Sequence, residues 1–213
     1  MGESERCLVV PRKALFGYKD EHAFSGFKTS EQLGFDLEAI LQKHSSFAWR
    51  KTPKGEYDVE YDDCFKHFNP SGVFIHDQKI FTYTRIGGES RLLGRNDLLI
   101  SGHVNPADKQ DSYHKTFLHT LYREFGEEVD YRYPFSIEPV PLGYVNDESP
   151  KRIDKVHFGI VYLIHGTSPD INVSEKEILV GSLKTVEEIE NVERPLESWS
   201  KYAFDVVKKY LGK

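Results

Sequence analysis

Residues 123–128 read Arg-Glu-Phe-Gly-Glu-Glu and close a stretch with the apolar spacing of an amphipathic helix. That spacing predicts a helix from Asp111 or Ser112 to about Val129. Three glutamates in its last turns stand at i, i+3 and i+4, where each like-charged pair opposes the helix by roughly 0.2–0.5 kcal/mol. The helix dipole adds about 0.3–1 kcal/mol per carboxylate, and the glycine about 1 kcal/mol. Arg123, four residues before Glu127, offers the main local compensation.

A divalent cation would make this arrangement favourable, because its positive charge attracts the three carboxylates that otherwise repel one another. Mg²⁺ and Mn²⁺ prefer hard oxygen ligands, and carboxylates held together on one helix lower the cost of assembling such a site. The alternative is a solvated, charged helix end, which is the commoner meaning of an ordinary glutamate pair. For this arrangement we predict a metal site of Glu124, Glu127 and Glu128 that takes Mg²⁺ or Mn²⁺.

Around this helix the sequence alternates predicted strands and helices. Asp77-Gln78 is predicted as the turn of a two-residue β-hairpin, and a final helix is predicted from about Leu196 to Leu211. The predicted strands are Val73–His76, Lys79–Arg85, Ile137–Val145, Val156–His165 and Glu177–Ser182. Because neighbouring strands mostly pair as hairpins, the pattern favours an α+β fold with a mixed sheet between helices.

The turn at Asn69-Pro70-Ser71-Gly72 is the best candidate for a boundary. Residues 1–70 are predicted to form an N-terminal α+β extension packed on the core. It has a strand at Cys7–Pro11 and a helix from Glu31 to about Lys43, with Ser30 as N-cap. Residues 71–213 are predicted to form the principal domain.

Composition excludes several classes of protein. The chain has 213 residues, of which 38% are hydrophobic and 29% charged, with a net charge of −6, so disorder and general nucleic-acid binding are disfavoured. Its apolar runs are too short for a membrane span. Two cysteines, Cys7 and Cys64, cannot build a disulfide framework. We therefore expect a cytoplasmic protein without nucleic-acid or membrane partners, and leave a homodimer open.

The segment Arg123-Glu124-Phe125-Gly126-Glu127-Glu128-Val129 resembles the second half of the Nudix box. The resemblance covers residues 72–213 and implies a Nudix-like α/β/α sandwich and a Nudix-type pyrophosphohydrolase. It implies that Glu124, Glu127 and Glu128 ligate the metal, while Arg123 orients a glutamate through a salt bridge. Residues 101–105, Ser-Gly-His-Val-Asn, are similar to the Gly-His-x-Asn loop of a phosphoesterase-like bacterial branch.

The first half of the box departs from the family pattern. Lys109 and Lys115 stand where the box has a glycine and a glutamate, and Asp130 stands where a further glycine is usual. An insertion in the preceding loop and a decayed, non-catalytic box are the two explanations, and the complete glutamate trio favours the insertion. Asp108 or Asp111 could then replace the missing acid as the partner of Arg123.

Three further residues are predicted to contact substrate: Arg85, Arg91 and His103. Arginine suits bidentate contact with phosphate, and Arg95 is a further candidate. A surface position on a strand is favoured for each arginine taken singly, but we expect one of the three to face the substrate. For His103, a histidine hydrogen-bonded within a turn is an equal alternative. Asp147, Glu148 and Asp154 occupy a polar segment where an additional carboxylate could serve as base or ligand, but a solvent-exposed loop is favoured for each.

The sequence thus predicts a metal-dependent hydrolase that cleaves a phosphoanhydride bond in a nucleoside-diphosphate-linked or related small molecule. A non-catalytic Nudix-like module that binds a nucleotide or sugar phosphate is the main alternative, because of Lys109 and Lys115. An isomerase of the same fold would need a cysteine and a glutamate for proton transfer, and Cys64 lies outside the resembling region.

Overall fold

The computed structural model describes residues 5–51, 58–87, 93–149, 155–192 and 196–213. The chain forms two compact units, and each is made of three segments. The first unit contains Met1–Pro70, Gly102–Thr120 and Gly143–Ile160, and the second contains Ser71–Ser101, Leu121–Leu142 and Val161–Lys213. The boundary at residue 70 remains a prediction as a domain limit. The turn predicted at Asn69-Pro70-Ser71-Gly72 is wrong, because these residues lie within a continuous strand, Phe65–His76.

The described residues form both helices and strands. The helices are α1 (Arg12–Phe16), α2 (Ser30–Leu33), α3 (Leu37–His44), α4 (Tyr113–Glu128), α5 (Val186–Glu190) and α6 (Ser198–Tyr210). The strands are β1 (Glu5–Pro11), β2 (Gly26–Lys28), β3 (Ser46–Lys51), β4 (Phe65–His76), β5 (Lys79–Arg85), β6 (Asn96–Asp97), β7 (Ile100–Ser101), β8 (Val129–Asp130), β9 (Val140–Asn146), β10 (His157–His165), β11 (Asn172–Val173) and β12 (Leu179–Lys184). The predicted α+β class with a mixed sheet is confirmed.

In the first unit, β1 pairs antiparallel with β3 and with the beginning of β4, while β2 pairs antiparallel with β9. The single helix predicted over residues 31–43 is wrong, since two helices occupy this segment. Gly34 ends α2 in the left-handed conformation, with φ of 81°. Asp36 then begins α3, because its side chain accepts a hydrogen bond from the Ala39 N–H at 3.0 Å.

In the second unit, β5 lies between β12 and the end of β4. The predicted hairpin is confirmed: Ile75 pairs with Ile80, and Asp77 and Gln78 form the turn with φ of 45° and 64°. Such positive values at both central residues match the twist of the flanking strands. On its other side β5 pairs antiparallel with β12, from Arg85 opposite Leu179 to Ile80 opposite Lys184.

Helix α4 begins where the sequence predicts. Ser112 caps it, because the Ser112 hydroxyl accepts a hydrogen bond from the Lys115 N–H at 3.2 Å. Its apolar side is buried in both units: in the first, Phe117 stacks on Phe68 with ring centroids 5.9 Å apart, and in the second, Phe125 stacks on Phe74 at 6.0 Å. The helix ends at Glu128, and the chain continues directly into β8.

The final helix α6 begins two residues after the predicted start and ends one residue before the predicted end. Its buried side includes Ala203, Phe204 and Val207. Among the residues that the structure describes, no helix is long and apolar enough to cross a membrane.

Candidate active site

The end of α4 borders a cavity of about 260 Å³ in the second unit. The side chains that line it are Phe81, Tyr83, Arg85, Ile100, Glu124, Glu127, Glu128, Val129, Val173, Glu175 and Leu179. The structure therefore brings the three predicted metal ligands together with one predicted substrate contact, Arg85. Four carboxylates face a single guanidinium among these lining residues.

Arg123 holds two of the carboxylates. Its Nη1 atom lies 2.8 Å from Oε1 of Glu124 and 3.3 Å from Oε2 of Glu127. The side chain of Glu124 is 14% exposed, whereas that of Glu127 is 60% exposed. Arg123 therefore links a sheltered carboxylate to one that faces solvent, and it partly offsets the repulsion between them.

Glu128 is buried among other negative charges. Burial raises its pKa to about 8, and the negative charges of Glu124 and Asp97 act in the same direction. Arg85 and a hydrogen bond from the Ser101 N–H oppose this increase without cancelling it. The site is therefore short of positive charge at the position of Glu128.

Asp97 contributes to this field without lining the cavity. Its carboxylate accepts hydrogen bonds from the N–H groups of Leu98 and Leu99, at 2.8 and 2.9 Å, and from the Ser200 hydroxyl. Desolvation nevertheless raises its pKa. Asp97 thus anchors α6 to the strand before β7 and also raises the cost of charging Glu128.

Glu175 is a cavity residue that the sequence analysis did not identify. It enters the site because β8 pairs with β11, with Val129 opposite Val173, and because the Ser174 N–H donates to the Glu128 carbonyl at 2.9 Å. Glu175 is exposed to solvent as well as lining the cavity. Its position depends on two short strands far apart in sequence, so no local pattern indicates it.

The other predicted substrate contacts are placed differently. Arg91 lies outside the described residues. His103 belongs to the first unit, where its ring packs with those of His67 and His157. Arg95, the neighbouring arginine, forms an ion pair with Glu197 at 2.9 Å.

The residues that depart from the Nudix pattern have local partners. Lys115 forms an i,i+4 ion pair with Asp111 at 2.8 Å. Asp108 is buried, accepts from the Asn105 N–H at 2.8 Å and lies 3.4 Å from Nδ1 of His119. These contacts hold the loop before α4 and the beginning of the helix in the first unit.

The expectation that Glu148 lies in a solvent-exposed loop is wrong. Its carboxylate contacts the Arg12 guanidinium at 2.6 Å and the Lys66 ammonium at 2.9 Å within the first unit. Burial acts to raise the pKa of Glu148, but the hydrogen bonds from Arg12 and Asn146 and the charge of Lys66 hold it below its usual value. Asp154, considered with it, lies outside the described residues.

A carboxylate-rich helix end of the Arg-Glu-x-x-Glu-Glu type, set beside a mixed sheet in an α+β fold, is characteristic of Nudix proteins. The chain is similar to the solved structure of Tm1382, a candidate Nudix hydrolase, with 27% identity and a TM-score of 0.72 over 97% of this chain and 100% of that one. The NUDIX domain of Shewanella oneidensis NrtR, solved with ADP ribose, has a TM-score of 0.50 at 14% identity over 83% of this chain and 99% of that chain. This second likeness concerns the fold.

Protein YmaB of Bacillus subtilis (strain 168) is 29% identical over 208 residues, which are 95% of this chain and 97% of YmaB. No family model matches the chain. The similarity to Tm1382 covers 97% of this chain, which is more than residues 71–213 make up. The shared fold therefore includes residues of the N-terminal segment. The similarity to Tm1382 confirms the resemblance to Nudix hydrolases that the sequence predicts, and with it the predicted enzyme class, a Nudix-type pyrophosphohydrolase.

Proposed function

We propose that the protein is a divalent-metal-dependent hydrolase that cleaves the phosphoanhydride bond of a nucleoside-diphosphate-linked or related small molecule. The observation that carries this proposal is the convergence of Glu124, Glu127 and Glu128 on one cavity that Arg85 also lines. The extensive similarity to Tm1382 supports the hydrolase class.

The residues of the site fit Mg²⁺ or Mn²⁺. Glu124, Glu127 and Glu128 offer oxygen atoms only, which is the donor chemistry that these ions prefer. The raised pKa of Glu128, about 8, indicates a carboxylate whose charge the protein does not balance. These three residues would hold the ion, which when bound would neutralise diphosphate oxygens and lower the pKa of a water molecule.

The chain's own groups position the substrate around this centre. Arg123 keeps Glu124 and Glu127 in place through its two ion pairs. Arg85 lines the cavity, and its guanidinium can donate two hydrogen bonds to two oxygens of one phosphate. Phe81 and Leu179 give the cavity an apolar wall that can pack against the uncharged part of the substrate. Glu175 supplies a further carboxylate that can accept a proton from the attacking water.

ADP ribose, the ligand of the NrtR domain, is the first substrate to test. It carries a diphosphate between two sugars, and so presents both the charge that Arg85 would bind and the bond that would be cleaved. Arg91 and His103 remain predicted substrate contacts.

The binding-module alternative also has an observation behind it. Lys115, at the position of the box's first glutamate, is engaged with Asp111 in a surface ion pair, and Lys109 follows the short helix Pro106–Asp108. A module of this kind would bind its ligand without turnover and without need of a metal ion.

The deciding experiment measures product formation from a panel that begins with ADP ribose and includes other nucleoside diphosphate derivatives. We expect phosphorylated products with Mg²⁺ or Mn²⁺ and none with EDTA. Glu127→Gln and Glu128→Gln should each lower kcat at least roughly 100-fold, because a weakly held ion cannot stabilise charge in the transition state. Asp205→Asn, a change to an exposed carboxylate on α6, is the matched control and should retain activity.

Two outcomes would contradict the hydrolase. One is the absence of turnover across the panel with either metal. The other is calorimetry that shows tight ligand binding indifferent to EDTA, which would instead support the binding module.

A further inference from the structure

Three histidines come together in the first unit, contributed by three separate parts of the chain. His67 lies on β4, His103 lies in the loop that follows β7, and His157 is the first residue of β10. One ring nitrogen from each lies within 4.8 Å of one from each of the others. The Nε2 atoms of His103 and His157 are 3.0 Å apart.

The hydrogen bonding of His67 fixes its tautomer. Its Nε2 atom lies 2.9 Å from the Val59 carbonyl, which can only accept, so Nε2 must carry the proton. The lone pair is therefore on Nδ1. That atom is buried in a side chain that is 0% exposed, and it has no hydrogen-bond partner among the described residues.

A buried, unsatisfied nitrogen lone pair normally costs about 1–3 kcal/mol. A metal ion would satisfy it, and a histidine ligand typically donates its other ring N–H to a backbone carbonyl in just this manner.

We propose that His67, His103 and His157 form a binding site for a transition-metal ion of the Zn²⁺ type, with His67 binding through Nδ1. Imidazole nitrogens suit Zn²⁺ and Co²⁺ and are poor ligands for Mg²⁺. Nitrogen ligands of a tetrahedral Zn²⁺ are about 3.3 Å apart, given bonds of 2.0–2.1 Å. The 3.0 Å between the Nε2 atoms of His103 and His157 is close to this value, and the nitrogen separations to His67 are at most 4.8 Å. His103 and His157 are only partly buried, so their side chains have room to adjust.

The surrounding charges permit a dication at this position. Arg50 and Lys66 both act on His67 with positive charge. Arg50 is paired with Glu60 and Glu5, each at 2.6 Å, and Lys66 is paired with Glu148 at 2.9 Å. The ion would therefore enter a region in which the neighbouring cations are already balanced.

The test is a titration of chelator-treated protein with Co²⁺ in the presence of excess Mg²⁺, which occupies oxygen-ligand sites. We expect one equivalent of Co²⁺ to bind with the intense visible absorption of tetrahedral coordination. His103→Gln and His157→Gln should each weaken binding at least roughly 10-fold. His44→Gln, a change to an exposed histidine at the end of α3, should leave the titration unchanged. A Glu124→Gln/Glu128→Gln variant should also retain the absorption.

The proposal is overturned if tetrahedral Co²⁺ absorption is absent, or if it survives unchanged in both histidine variants. Loss of the Co²⁺ absorption in the Glu124→Gln/Glu128→Gln variant, with retention in the histidine variants, would also overturn the proposal. Thermal melts in EDTA establish whether the variants fold. A second measurement uses the unaltered protein: Zn²⁺ should shift the imidazole nitrogen resonances of three histidines and raise the melting temperature, and failure of both changes would contradict the site. Neither measurement depends on hydrolase activity.

Discussion

The backbone carbonyl of Glu128 accepts a hydrogen bond from the Ser174 N–H at 2.9 Å. This contact fastens the segment after β11 to the end of α4, one residue from where β8 begins. It explains how Glu175 reaches a cavity whose other carboxylates all come from a single helix. The site therefore has two parts, a helical trio and a carboxylate that depends on a distant turn.

Glu175→Gln should lower the apparent affinity of the enzyme for activating Mn²⁺ without affecting the fold. The change removes one negative charge from the cavity and keeps the size of the side chain, so we expect the Mn²⁺ concentration for half-maximal activity to rise roughly 10-fold. Glu177→Gln, at an exposed position outside the cavity lining, is the matched control. Equal metal dependence of the two variants would show that Glu175 has no part in binding the metal, and an equal kcat as well would show that it accepts no proton from the attacking water.

Glu128→Gln should stabilise the metal-free protein at alkaline pH. The carboxyl has a pKa of about 8 in the folded state, above its ordinary value of 4.5, so the folded state binds more protons than the unfolded state between these values. The wild-type free energy of unfolding should therefore fall as pH rises from about 4.5 to 8. The glutamine does not titrate and should flatten this dependence.

At pH 9 we expect a gain of about 1–3 kcal/mol for Glu128→Gln over the wild type, since each pKa unit corresponds to about 1.36 kcal/mol. Urea melts in EDTA across the pH range measure it. Adding Mn²⁺ should reverse the order, because the wild type alone keeps the full ligand set. A mutant that melts like the wild type throughout would indicate that Glu128 is solvated.

Arg123→Ala should reduce activity far more than stability. Arg123 is an orienting residue with ion pairs to Glu124 and Glu127, and loss of such a partner of the ligands typically costs roughly 10–100-fold in metal affinity or activity. Its partly exposed pairs should contribute at most about 1 kcal/mol to folding. Arg123→Lys should recover part of the activity, since a single ammonium can contact one carboxylate. Activity measured against Mn²⁺ concentration, beside thermal melts, checks both expectations.

Part of this structure could be predicted from local patterns. Helix α4 and the turn at Asp77 and Gln78 follow from apolar periodicity and from the residue types at a short turn, both of which act over a few residues. The glutamate trio follows from one helix's geometry. The sequence also contains residues that indicate the break between α2 and α3, namely Gly34 as a helix end and Asp36 as an N-cap. The continuous amphipathic spacing nevertheless favoured a single helix.

Other features could not be predicted, because their partners are remote in sequence. Glu175 is placed by pairing between strands of two residues each. Glu148 looks exposed in a polar, turn-rich segment, yet its partners Arg12 and Lys66 lie 136 and 82 residues away. The environment of His103 likewise depends on His67 and His157, neither of which has a local motif.

Glu148→Gln should destabilise the protein by about 3–5 kcal/mol, the usual cost of removing one partner from a buried ion pair. Lys66 is 0% exposed, and burial already lowers its pKa to about 8, so without Glu148 the ammonium would be buried with its main counter-charge removed. Glu148 raises the pKa of Lys66, so its removal lowers that pKa further, and the mutant should recover stability as pH rises from below 8 towards 10.5.

A Lys66→Met/Glu148→Gln double variant should be more stable than Glu148→Gln alone, since it also removes the Lys66 ammonium, which the single change leaves buried without its main counter-charge. Chemical denaturation of the wild type, both single variants and the double variant gives the coupling energy directly. Additive losses would show that Lys66 and Glu148 stabilise the first unit independently, and would contradict the ion pair as the cause. Lys155→Met, which removes a more exposed lysine paired with Asp63, serves as the control and should cost less than about 1 kcal/mol.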